Sequence, residues 1–136
     1  MDFEEYEVME VELPNEAKEA VRLSHEAAAY AQDGQFDEAV NSAERIEHTK
    51  FRLWYAYRNE ALINVAAKCA EAGLTDRALE IAEKIAADYR PGALYWIALA
   101  YARFGQRDTA FQIARSIGNA RVREDVLSKL ESGNEK

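Results

Sequence analysis

Few residues here could build a reactive centre. The only histidines are His25 and His48, and the only cysteine is Cys69. A zinc site usually takes three or four ligands, and neither histidine falls in a His-Glu-x-x-His or comparable spacing. Glu44 and His48 would share one helix face, which supplies two ligands and no more. Ser-His-Asp order, a glycine-rich phosphate loop and a Cys-x-x-Cys pair are all missing, so neither nucleophilic catalysis nor phosphate binding has residues to draw on. Cys69 lies among alanines, has no second thiol to pair with, and reads as a small core residue. The expectation is a protein that is not an enzyme, with no catalytic residues, no metal and no cofactor.

What remains are side chains that make surfaces. Phe51, Trp54, Tyr55 and Tyr57 form the densest aromatic patch in the chain. Exposed, Trp54, Tyr55 and Tyr57 would mark a second interface. Packed, the rings would fill space beside the first part of the fold, which is the expectation for them and for Trp96, because most aromatic area goes into cores.

The elements that position these residues follow from an internal repeat. Gly34-x-x-Asp37-x-Ala39, Gly73-x-x-Asp76-x-Ala78 and Gly105-x-x-Asp108-x-Ala110 share one pattern, each continuing with Ala and Ile at matched offsets (Ala43 and Ile46, Ala82 and Ile85, Ala114 and Ile117). Upstream, Leu23, Leu62 and Leu94 occupy one column, followed by Ala27, Ala66 and Ala98, then Ala31, Ala70 and Ala102. Within a unit, Leu62, Val65, Ala66, Cys69 and Ala70 follow the spacing of a helix with one buried stripe, and Ala78, Leu79, Ala82 and Ile85 do the same. Each unit therefore reads as two helices joined at a glycine, which supplies the positive φ that ends a helix. The aspartate three residues later caps the next helix or favours its dipole. The columns of alanine allow close helix approach. The glycines are 39 and then 32 residues apart, and the surplus before Arg58 predicts that the second unit's first helix starts early. Arg58, Arg90 and Arg123 recur at helix starts, where a cation gains nothing from the dipole. Their recurrence predicts a structural task, either pairing with Glu47 or Asp88 or bonding to carbonyls. Arg123-x-x-Val126-Leu127 opens a fourth, incomplete unit. The only alternation suited to a strand is Tyr6 to Leu13.

Tyr101-x-x-x-Gly105-x-x-x-x-Ala110, with the 32-residue period, resembles the tetratricopeptide repeat. Tyr30 keeps the tyrosine position in unit one, and Cys69 replaces it in unit two. Leu94 stands where that family favours tryptophan, Ile97-Ala98 replaces leucine-glycine, and the closing proline is missing. The likeness covers residues 19 to about 130. It implies an all-α, right-handed superhelix of three helix-hairpin repeats plus a C-terminal capping helix, with a concave groove of first helices that accepts a peptide or partner helix. The family's groove positions fall on Ser24, Ala28 and Gln32, on Glu60, Ile63, Ala67 and Glu71, and on Tyr95, Leu99 and Arg103. These lie off the stripe assigned to the core, so exposure is expected; packing against a neighbouring helix or the N-terminal segment is the alternative for Ile63, Tyr95 and Leu99.

Composition agrees with one folded domain: 136 residues, 49% hydrophobic and 31% charged, with a net charge of −8. The charge is uneven. Residues 1–13 carry six acids and no base, whereas residues 90–130 hold seven basic and three acidic side chains. An acidic leader and first half argue against nucleic-acid binding, although the basic third segment leaves an RNA-contacting helical module as an alternative. No apolar run is long enough to span a membrane, and the start lacks the features of a secretory signal, so a cytoplasmic setting is expected. The organisation expected is an acidic segment at 1–13, flexible or docking, a helical domain at 14–131 and a tail at 132–136. Phe3, Tyr6, Val8, Met9, Val11 and Leu13 within the leader would allow it to dock in the groove or against the basic third unit, of its own chain as a plug or of a neighbour as an assembly arm giving self-association. The leading expectation is a protein-protein interaction scaffold binding a protein or peptide partner. A non-catalytic helical subunit of an enzyme complex is the remaining rival.

Overall fold

The computed structural model describes residues 15–46 and 53–133. The leader at 1–13, Glu47, His48, Phe51 and the final three residues lie outside the described residues. Those described form seven α-helices and no strand. They are α1 (Asn15–Gln32), α2 (Phe36–Glu44), α3 (Trp54–Glu71), α4 (Thr75–Ala82), α5 (Arg90–Arg103), α6 (Arg107–Ser116) and α7 (Ala120–Ser132). The protein is all-α over this span. Helices α1/α2, α3/α4 and α5/α6 pair as hairpins, and α7 packs on α5 and α6. The extensive contacts otherwise join α1 to α3, α3 to α5, and α2 and α4 to the first helix of the hairpin that follows.

The hairpin turns are one motif used three times. Gly34, Gly73 and Gly105 have φ of 78, 89 and 86°. In each, the glycine N–H donates to the carbonyl three residues back, and the next N–H reaches the carbonyl five back: Gln35 to Tyr30 at 2.9 Å, Leu74 to Cys69 at 3.1 Å, Gln106 to Tyr101 at 2.8 Å. This is the Schellman arrangement, which satisfies carbonyls a helix end would otherwise leave orphaned, and it needs the left-handed residue that glycine provides. Asp37, Asp76 and Asp108 occupy the second position of α2, α4 and α6, and no side-chain cap bond forms at those starts. Of the two roles expected for them, only the favourable interaction with the helix dipole applies. Asp76 also accepts a 2.5 Å hydrogen bond from the buried Tyr101 hydroxyl, and Asp37 pairs with Arg77, so these two aspartates tie their hairpins to the next.

All six column alanines are buried, with Leu23 and Leu62; Leu94 is only half-buried. Helix α3 starts four residues before Arg58, whereas α5 starts at Arg90 itself, so part of the surplus is helical as expected. Asn59, fully buried on this longer helix, donates to Tyr55 O at 2.8 Å and accepts from Ala86 N at 2.9 Å, which fixes the link after α4.

The recurrent arginines bind carbonyls where that is possible. Arg90 donates to Ala82 O at 3.2 Å and Ile85 O at 2.9 Å, and Arg123 donates to Ile117 O at 2.8 Å. They therefore close the C-terminal end of the second helix before them, whose last carbonyls lack partners within the helix. Arg58 departs from this and lies 3.7 Å from Glu44, while Asp88 accepts from Tyr55 rather than from Arg90.

Candidate protein-binding surface

Helices α3 and α5 lie side by side, and because Gly92 faces Ile63 while Gly73, just past the end of α3, faces Phe104 at the end of α5, they run parallel and in register. A cleft of about 400 Å³ between them is lined by four repeat-equivalent pairs: Asn64 and Trp96, Ala67 and Leu99, Lys68 and Ala100, Glu71 and Arg103. The same register extends to α1, since Gln32 shares a smaller cleft with Lys68 and Glu71. A further cleft of about 430 Å³ opens between α5 and α7, bounded by Gly92, Tyr95, Arg121, Val122, Asp125 and again Trp96. Trp96 is 49% exposed and forms the ridge between the two clefts.

The residues expected in the groove divide into three groups. Ala67, Glu71 and Arg103 line the α3/α5 cleft, with Lys68 Nζ 3.5 Å from Glu71 Oε2 at its rim. Leu99 corrects the expectation of exposure: it is only 2% exposed and forms core beneath the cleft floor. Ile63 and Tyr95 are half-buried against the core. Gly92 makes room for Ile63, since a methyl placed there would meet Ile63 Cδ1 at 3.5 Å. Tyr95 is occupied by α7, whose Lys129 ammonium bonds its hydroxyl and lies 4.8 Å from the ring centroid. The hydrogen bond to that hydroxyl, with a smaller contribution from the charge of Asp125, pushes the Lys129 pKa up. Glu60 is exposed but borders neither cleft, Ser24 donates to Ala20 O at 2.9 Å, and Ala28 is half-buried.

Trp96 is also a correction, having been expected to pack inward. Its repeat column, His25, Asn64 and Trp96, is exposed in all three units. Comparing those columns would have found it, because a position holding histidine and asparagine elsewhere faces water. In the other aromatic patch Trp54 and Tyr57 pack against the core as expected, while Tyr55 is 40% exposed, stacked edge-to-face on Trp54 and Tyr89.

No family model, no curated protein and no solved structure matches the chain.

The basic third is not one continuous cationic face. Of its seven basic side chains, Arg90, Arg107 and Arg123 donate to backbone carbonyls and Lys129 is held by Tyr95. Arg107 and Arg115 flank the Phe111 ring at 5.6 and 5.3 Å. Cys69 is buried, and desolvation pushes its thiol up to about 11. Among the described residues no group of three or more His, Cys, Asp or Glu is placed to hold a metal, and no helix is long and apolar enough to cross a membrane.

Proposed function

We propose that the chain is a non-enzymatic, cytoplasmic interaction scaffold related in architecture to tetratricopeptide repeats. Its three hairpins and α7 wind as a right-handed superhelix, and its first helices receive a peptide or helix of a protein partner. One observation carries this: a half-exposed tryptophan stands between two clefts formed by first helices, with an apolar floor and charged rims. Tryptophan and arginine dominate binding hot spots because they combine large contact area with a polar handle, and a ring surrounded by clefts offers a partner side chain a site to fill.

The RNA alternative has less support, since a phosphate-binding face needs uncommitted Lys and Arg on one side. A non-catalytic subunit of an enzyme complex would use the same clefts. Pull-down with wild type, a Trp96→Ala/Arg103→Glu double variant and an Arg115→Glu control on α6 tests the proposal. The wild type and the control should retain the same captured protein and the double variant should lose it. Equal capture by all three would rule out the clefts as the working surface.

A further inference from the structure

The cleft beside Trp96 has a candidate occupant in the chain itself. Residues 1–14 lie outside the described residues and precede α1, and an extended stretch of 13 residues spans about 40 Å. From Asn15, the level of Trp96 is ten residues up α1 at His25, or about 15 Å. Helix α5 is two helix spacings away from α1, each about 9 Å. The diagonal of roughly 25 Å takes up about eight extended residues. Residues 1–6 are left over at the α3/α5 cleft, and they contain Phe3 and Tyr6 among Asp2, Glu4 and Glu5.

The chemistry matches the reach. Ala67, Ala100 and Trp96 provide an apolar cleft for one ring, and Lys68 and Arg103 stand at its rim with a single acid, Glu71. The Lys68–Glu71 pair is half-exposed on both sides. Such a pair contributes little and re-forms easily, so Lys68 can turn to an incoming carboxylate.

We propose that residues 1–6 of the same chain occupy the α3/α5 cleft, with Phe3 against Trp96 and the neighbouring acids toward Lys68 and Arg103, so that a partner must displace them. This rests on the cleft being a binding site, but its test needs no outside partner. In a full-length Trp54→Phe chain, Trp96 is the only tryptophan, and acrylamide quenching reports its shielding. Adding Phe3→Ser and Tyr6→Ser should raise the quenching constant several-fold, and raising salt from about 0.01 M to about 1 M, where the screening length falls from about 30 to about 3 Å, should raise it part of the way. Shielding should be independent of protein concentration. Equal quenching with and without the two serines overturns the proposal, as does shielding lost on dilution, which would mean that a second copy is the occupant. Hydroxyl-radical footprinting of Trp96 in the otherwise unaltered chain, with and without Phe3→Ser/Tyr6→Ser, gives the same comparison if Trp54→Phe disturbs the fold. If quenching is equal while the pull-down above succeeds, the self-occupancy fails and the cleft stands.

Discussion

Leu99 and Trp96 are three positions apart on α5, yet one is 2% and the other 49% exposed. Truncating them should separate stability from binding. Leu99→Ala removes a buried side chain and leaves a cavity, an expected loss of about 3 kcal/mol in urea unfolding. Trp96→Ala should cost clearly less, about 1 kcal/mol, because half of the ring is already in water and what it loses is its edge-to-face contact with Tyr95 at 5.0 Å. A large loss for Trp96→Ala would mean that the ridge is structural. The ionisation of Cys69 makes a second prediction. Its thiol is raised from 9.0 to about 11 by desolvation, so the fold favours the neutral form. The stability it contributes is complete below pH 9 and is lost as the pH rises from about 9 to 11. Tyr101, also raised by burial and by Asp76, adds to the fall at the upper end. Denaturant midpoints measured across that range should decline, and less steeply in Cys69→Ala; identical slopes would mean that the buried thiol is not responsible.

At the scale of the elements, the arginine columns show how far a recurring residue can be read. Recurrence at helix starts predicted a structural role, and the carbonyl alternative holds for Arg90 and Arg123 because short links bring the end of the preceding helix within reach. The link before Arg58 is longer, and that guanidinium meets Glu44 instead. Arg90→Ala should therefore lose about 1.5 to 3 kcal/mol, the range for hydrogen bonds to a charged group, and Arg58→Ala less than about 1 kcal/mol. Thermal or urea unfolding measures the order, and equal losses would contradict the carbonyl role. The same distinction applies along α5: Tyr95, placed in the groove by register, is taken up by Lys129 of α7, a helix legible only as an unfinished repeat.

Across the whole molecule, the two end faces differ from the interior. The columns Ala61/Ala93 and Val65/Ile97 are buried in units two and three, and unit one places Arg22 and Glu26 there, the first paired with Glu19 at 2.6 Å and the second 3.6 Å from Arg45. At the other end Glu124, Asp125, Ser128 and Glu131 on α7 are exposed. Polar ends keep repeat units from adding to one another. Arg22→Ala with Glu26→Val gives unit one the residue types its successors bury, and sedimentation should then show self-association absent from wild type. A double variant that sediments as wild type does would mean that other features of the face prevent stacking.

Local rules determined the hairpins, their glycine turns and the alanine core, because helix periodicity and positive-φ turns depend on residues within a few positions of one another. The polar column of His25 and Asn64 already marks the Trp96 position as a surface one, but the column of Ala28 and Ala67 leaves Leu99 open, and tertiary structure alone decided its burial. Only the placement of α3 and α7 on either side of α5 buries Leu99 and leaves Trp96 standing between two clefts, since exposure is a property of neighbouring helices and not of the helix that bears the residue.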